Sequence, residues 1–123
     1  MNWILPIVVV AFLVVVWKMK SARALPAATA REHLKNGAML VDVRTVAEYQ
    51  AGHLASAVNI PLDRVQQEFP RRVRDKSKVV LLHCRSGGRS GMAERELRAL
   101  GYTNVFNLGS YGQAENAVNG ASN

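Results

Sequence analysis

Val79-Val80-Leu81-Leu82-His83-Cys84-Arg85-Ser86-Gly87-Gly88-Arg89-Ser90 is the stretch that decides how this chain reads. Its apolar run has the length and aliphatic content of a buried parallel strand. Beyond the glycines, Ser90 to Leu100 reads as a helix stopped by Gly101. A strand, a glycine-containing loop and a helix N-terminus make an anion cradle, because loop and first-turn N–H groups point inward without helical partners. Arg85 and Arg89 add positive charge, and Cys84 is the only cysteine in the chain. Such surroundings favour the thiolate, the nucleophilic form of cysteine. A buried core thiol is the plainer alternative, since free cysteine packs as a small hydrophobe. The polar, flexible Arg-Ser-Gly-Gly-Arg that follows it does not suit a core.

Outward from this stretch, strands and helices alternate. Thr29 is placed to cap a helix over Ala30–Asn36, closed by Gly37. Ala38–Val43 reads as a buried strand, and Thr45-Val46-Ala47-Glu48 has capping-box spacing for a short helix ending near Gly52. Ala57–Ile60 reads as a short strand stopped by Pro61, and Leu62–Phe69 as a helix before a basic loop. Val105–Leu108 is expected as the last strand, with a short helix near Gln113–Val118 and a tail over Asn119–Asn123. This alternation predicts an α/β fold with a central parallel sheet covered on both faces. Ligands of such sheets bind beyond the carboxyl ends of the strands. That places Asp42, Arg44 and Cys84 near one edge.

The chain has 123 residues, enough for one small domain. Met1 to Trp17 carries no charge, and Ile4 to Val16 is almost wholly aliphatic. The expected organisation is a transmembrane anchor over residues 1–20, a linker over 21–28, the α/β domain over 29–118 and the tail over 119–123. Trp3 and Trp17 sit where interfacial aromatics belong, and Lys18 and Lys20 are placed to snorkel. Lys18, Lys20 and Arg23 follow the apolar run, so the domain is expected on the cytoplasmic side. A cleaved signal peptide is a rival reading, because Ala22-Arg23-Ala24 and Ala28-Thr29-Ala30 fit a loose cleavage pattern. Net charge is +7. Arg71, Arg72, Arg74, Lys76 and Lys78 form a cluster that reads either as a contact for anionic lipid or as a solvated basic loop. No aromatic interleaving or known module accompanies it, so nucleic acid is not an expected partner. No paired ligands suggest a metal, and no cofactor is expected.

Val41-Asp42-Val43-Arg44, Glu48-Tyr49, Gly52-His53-Leu54 and Ala57-Val58-Asn59-Ile60-Pro61 resemble the first signature of the rhodanese family. Cys84 to Ser90 is similar to the active loop of its bacterial single-domain members, and Leu97, Leu100-Gly101-Tyr102, Val105 and Leu108-Gly109 to its closing segment. The resemblance implies a sulfurtransferase whose cysteine takes a sulfane sulfur from a donor such as thiosulfate and passes it to cyanide or another thiol. On that basis Cys84 is the nucleophile, the backbone of Arg85, Ser86, Gly87, Gly88 and Arg89 cradles the persulfide, and Arg89 with Arg85 binds the donor oxyanion. Asp42 and Arg44 are expected to tie loops together, Glu48 to serve a helix cap, and His53 to make a loop hydrogen bond. His83 either supports the thiolate or packs the strand end. Ser56 and Ser110 stand where the family has glycine, and would be strained if either position needed a positive φ. Two rivals are a Cys-dependent phosphatase or arsenate reductase and a non-catalytic binding module or membrane tether. The phosphatase loop has five residues between Cys and Arg, against four between Cys84 and Arg89.

Overall fold

The computed structural model describes the backbone of residues 2–21 and 24–121, with side chains of residues 17–21 outside the description. The described residues form six helices, α1 (Ile4–Ser21), α2 (Ala27–Lys35), α3 (Val46–Ala51), α4 (Val65–Arg72), α5 (Gly88–Ala99) and α6 (Tyr111–Ala121), and four strands. The strands are β1 (Met39–Asp42), β2 (Val58–Asn59), β3 (Val80–His83) and β4 (Val105–Gly109). They form one sheet in the order β2-β1-β3-β4, with every pairing parallel. The α/β expectation with a central parallel sheet is met. β1 and β3, the central strands, are the aliphatic runs, as strands buried on both faces must be.

Side chains alternate across this sheet with a period of two. Val41, Val43, Val80, Leu82 and Cys84 join Val65 and Phe69 of α4 and Ala93 and Leu97 of α5 in one core. Leu40 and Leu81 face the other way, against Ala30 of α2 and Ala114 and Ala117 of α6. Phe69 meets Tyr102 edge to face, with ring centroids 4.8 Å apart, and the Tyr102 hydroxyl donates to the Val73 carbonyl. Because β3 reverses face at each residue, His83 and Cys84 point to opposite sides of the sheet.

Helix boundaries differ from expectation for local reasons. α2 starts at Ala27 on Pro26, not behind a Thr29 cap, since proline presets the entry φ and its missing N–H is harmless there. Gly37 and Gly101 follow α2 and α5 at φ +89° and +100°, the left-handed conformation that ends helices. The expected Leu62–Phe69 helix is a 3₁₀ turn over Leu62–Arg64 followed by α4, which takes in Arg71 and Arg72. Ser110 and Gln113 cap α6 reciprocally, the Gln113 N–H donating to Ser110 Oγ at 3.2 Å and the Ser110 N–H to Gln113 Oε1 at 2.8 Å. The helix therefore begins earlier than expected and runs through Ala121, so Asn119–Ala121 is not a frayed tail; the last two residues lie outside the described ones. Among the described residues no residue other than glycine has a positive φ, so Ser56 and Ser110 carry no such strain.

The N-terminal apolar run forms a helix as expected, with its side chains exposed all round, Leu5 at 74% and Phe12 at 66%. Among the described residues no helix is long and apolar enough to cross a membrane. The expectations for Trp17, Lys18, Lys20 and Arg23 fall outside the described side chains.

Phe69 is fully buried between α5 and the sheet. Replacing it with alanine is expected to lower unfolding free energy by about 3–5 kcal/mol, measured by urea denaturation; a loss below about 1 kcal/mol would mean that this core is not packed as described.

Candidate active site

Cys84 leaves β3 at the carboxyl edge of the sheet, and its N–H donates to the Gly109 carbonyl at 3.2 Å. The chain then turns sharply. Gly87 sits at φ +99°, and a Cβ there would lie 3.3 Å from Gly109 Cα, so both conformation and space require glycine. That turn starts α5 two residues earlier than the expected Ser90, and points the Gly87 N–H at the Cys84 sulfur, 3.0 Å away. Ser90, wholly buried, brings its hydroxyl to 3.4 Å from the same sulfur. Gly87 O and Gly109 O also lie within reach of that single hydroxyl proton, at 3.1 and 3.4 Å. An ionised sulfur would be the strongest acceptor of the three.

The sulfur therefore sits among donors. Burial pushes the Cys84 thiol up, but the Ser90 hydroxyl and the N–H groups of Ser90, Gly87 and Ser86 outweigh it, leaving the thiol below its ordinary value of 9.0. Cys84 is fully buried while Arg85, Ser86 and Gly88 on the loop are exposed, so a polar rim covers a sealed sulfur.

Arg89 reaches from α5 to α3. Its guanidinium grips Glu48 with two parallel bonds, Nη1 to Oε1 at 2.6 Å and Nη2 to Oε2 at 3.0 Å. Glu48 also closes the expected capping box with Thr45. Arg89 first, then Thr45, hold the Glu48 carboxyl down to about 2, so the pair stays ionised at ordinary pH. Glu48 is the main partner of Arg89, and the Cys84 sulfur acts on its guanidinium more weakly, by charge and by side-chain hydrogen bonding. Arg85 has an exposed side chain with no ion pair among the described residues, and its carbonyl accepts the Tyr111 N–H at 3.2 Å. Among the described residues Arg85 is thus the loop arginine without an ion pair.

Asp42 and Arg44 tie the neighbouring loop together, as expected. Asp42 Oδ1 accepts from the backbone N–H and Nε of Arg44, at 2.9 and 3.0 Å; Oδ2 accepts from Nη2 at 2.7 Å, and Nη2 also reaches the Gly52 carbonyl at 2.7 Å. Asn59 fastens β2 to this turn by donating to the carbonyls of Asp42 and Arg44. His53 makes its loop hydrogen bond, Nδ1 to the Tyr49 carbonyl at 2.8 Å. His83 lies on the opposite face from the thiol, its Nε2 3.8 Å from Asp42 Oδ2, and its ring edge-on to Tyr111. Burial pushes its pKa down more than Asp42 raises it, which keeps the ring neutral at neutral pH. Of the two roles left open for His83, its contacts match packing of the strand end.

Ser90, Asn59 and the Glu48–Arg89 pair were not legible as site features. Ser90 was the nearest to legible, since a serine in the first turn of the helix behind a nucleophile has a hydroxyl within reach of the loop. Beside the loop lies an open cavity of about 510 Å³ lined by Arg44, Glu48, Ala51, Gly52, Arg85 and Tyr111. Among the described residues no cluster of His, Cys, Asp and Glu is arranged to hold a metal.

Comparison with known proteins agrees with this geometry. A family model of the rhodanese-like domain matches residues 26–115. Over 69 residues the chain is 41% identical to thiosulfate sulfurtransferase PspE of Escherichia coli, covering 56% of this chain and 66% of that protein. It is also 35% identical over 75 residues to the tRNA uridine(34) hydroxylase of Erwinia tasmaniensis, covering 58% of this chain and 21% of that one. The chain thus spans just under two thirds of the first relative and about a fifth of the second. Among solved structures, a rhodanese with anions from E. coli superposes with a TM-score of 0.60 at 36% identity, covering 63% of this chain and 91% of that one. The human single-domain sulfurtransferase TSTD1 gives 0.65 at 26% identity, covering 76% and 95%. With a family model that matches residues 26–115, most of its length, the chain belongs to the rhodanese-like domain family.

Proposed function

We propose that this chain is a sulfurtransferase of the thiosulfate sulfurtransferase type, which carries a sulfane sulfur on Cys84 between a donor and a thiophilic acceptor. One observation carries the reading: the only thiol lies at the floor of a loop whose Gly87 N–H and Ser90 hydroxyl face the sulfur at 3.0 and 3.4 Å. In the first step the Cys84 thiolate attacks the outer sulfur of thiosulfate. A new S–S bond forms, the old one breaks, and sulfite leaves with the electron pair. The persulfide's outer sulfur then lies near the N-terminus of α5, where N–H dipoles favour negative charge. In the second step cyanide or a thiolate attacks that outer sulfur, and Cys84 leaves as the thiolate. Arg85, unpaired at the rim, draws anionic donors in and steadies the departing sulfite.

The sealed position of Cys84 supports sulfur chemistry over phosphate chemistry. An entering group must fit between the loop N–H groups, which suits one sulfur atom better than a tetrahedral phosphate. A Cys-dependent phosphatase also needs its loop arginine on the phosphate oxygens, whereas Arg89 is held by Glu48. The 41% identity to a thiosulfate sulfurtransferase favours the same reading. The tRNA hydroxylases among the relatives mean that family membership alone does not choose the reaction. The purified chain incubated with thiosulfate should gain one sulfur by intact mass; cyanide should remove it, and Cys84→Ser should prevent it. Absence of the adduct would count against thiosulfate as donor and against this function.

We further propose that the N-terminal helix anchors the domain to a membrane, with the domain on the cytoplasmic side. The support is the exposed apolar side chains of α1 from Ile4 to Val15, and the basic residues that follow them in the sequence. A compartment-sensitive reporter fused after Asn123 should be active on the cytoplasmic side; activity only on the far side, or recovery of the chain in the soluble fraction, would overturn the anchor or its orientation.

A further inference from the structure

The Cys84 loop lies at the carboxyl edge of the parallel sheet. The helices that lead into β1, β3 and β4 therefore end at the opposite, amino edge. In their last turns α2, α4 and α5 bring Lys35, Arg71, Arg72 and Arg98 there. The loop from α4 to β3 adds Arg74, Lys76 and Lys78. Hydrogen bonds draw these segments together. Lys76 Nζ donates to the Leu100 carbonyl at 2.9 Å, Lys78 Nζ to the Gly37 carbonyl at 3.0 Å, and the Thr103 N–H to the Lys76 carbonyl at 3.0 Å. Three segments distant in sequence thus form one basic face.

Helix C-termini attract cations through their dipoles, which accounts for Arg72 and Arg98. These two also pair with Glu68 and Glu94, at 3.7 and 3.2 Å. The dipoles do not account for the loop. From Arg71 to Lys78 five basic residues stand against Asp75 alone. The Asp75 carboxylate is itself engaged by Ser77, whose N–H and hydroxyl donate to Oδ1 at 2.9 and 2.7 Å. Lys35, Arg71 and Arg74 are exposed and have no hydrogen bond or ion pair among the described residues.

The chain from α1 arrives at the same edge. Ala24 pairs in parallel with Asn107 of β4, and the Leu25 N–H donates to the Asn107 carbonyl at 2.8 Å. A parallel neighbour runs the same way as β4, so Ala24 is entered from the amino side. From Ser21, the last residue of α1, to Ala24 the chain reaches at most about 11 Å. So short a connection keeps the amino edge near the end of α1, and headgroup charge acts over about 8 Å at physiological salt.

Resting on the membrane-anchor reading, we infer that this basic edge docks on anionic lipid headgroups of the bilayer that holds α1. Lys35, Arg71 and Arg74 are the contacting cations, and the Cys84 loop faces away from the lipid. The cytoplasmic leaflet, where the domain is proposed to lie, carries the negative lipids such a face attracts. Headgroup phosphates accept charge-assisted hydrogen bonds from the two guanidinium groups. With its amino edge on the bilayer, the domain leaves its carboxyl edge open to sulfur donors and acceptors.

The full chain is reconstituted in vesicles of phosphatidylcholine alone or of phosphatidylcholine with phosphatidylserine, and its arginines are modified with phenylglyoxal, a neutral reagent. Rates at single residues are read by mass after digestion. Phosphatidylserine is expected to slow Arg71 and Arg74 roughly tenfold, since each cation at an anionic surface contributes about a fivefold factor. Arg85, exposed at the opposite edge, reacts equally in both vesicles. Added salt restores the two slowed rates, and Lys35→Gln combined with Arg71→Gln weakens the protection of Arg74. Equal rates at Arg71 and Arg74 in both vesicles, or equal slowing of Arg85, overturn the inference while a retained chain leaves the anchor in place. Equal protection of Arg71 and Arg74 by a dissolved oligonucleotide on phosphatidylcholine vesicles overturns the choice of lipid as partner. A chain that washes off both kinds of vesicle overturns the anchor and this inference with it.

Discussion

The hydrogen bond from the Gly87 N–H to the Cys84 sulfur is the contact on which the site depends. It exists because Gly87 adopts a left-handed conformation at the start of α5, with Gly109 packed so closely that no side chain fits between them. A larger residue at Gly87 would face both a strained φ and a collision with the end of β4. The turn swings a peptide N–H under the sulfur and brings Ser90 into the first turn behind it. Parallel β1, β3 and β4 hold the turn from below, and the Cys84 N–H is itself fixed to the Gly109 carbonyl. The core's contribution to function is therefore positional, locking the loop against relaxation.

Charge around the sulfur is arranged in two tiers. Asp42 with Arg44 and Glu48 with Arg89 are bidentate pairs that fix loops, each arginine having a carboxylate of its own. Arg89 gains from the Cys84 charge only as a lesser effect behind Glu48. The thiolate is thus stabilised chiefly by short-range dipoles, the hydroxyl of Ser90 and three loop N–H groups, acting against the burial that would otherwise raise its pKa. Arg85 stands apart from these pairs, exposed and without an ion pair among the described residues.

Much of this was legible in the residues. The β3 run, the six-residue loop and the capping box at Thr45–Glu48 rest on local patterns, and each has its expected role in the fold. What was not legible depends on chain segments distant in sequence. Nothing near Arg89 signals that Glu48, 41 residues earlier, will claim its guanidinium. Ser110-Tyr111-Gly112-Gln113 has the same capping spacing as Thr45–Glu48, so the start of α6 was within reach of the reasoning that found α3. The positive φ in this segment falls on Gly109, one residue before Ser110.

Hydrogen bonds from the loop, more than arginine charge, lower the pKa of the Cys84 thiol. The direct test is the pH dependence of Cys84 alkylation in the unmodified chain, Ser90→Ala and Arg89→Ala. The unmodified midpoint should lie below the ordinary value of 9.0, Ser90→Ala should raise it, and Arg89→Ala should raise it less. An unmodified midpoint at or above 9.0, or a larger rise for Arg89→Ala than for Ser90→Ala, would contradict the claim.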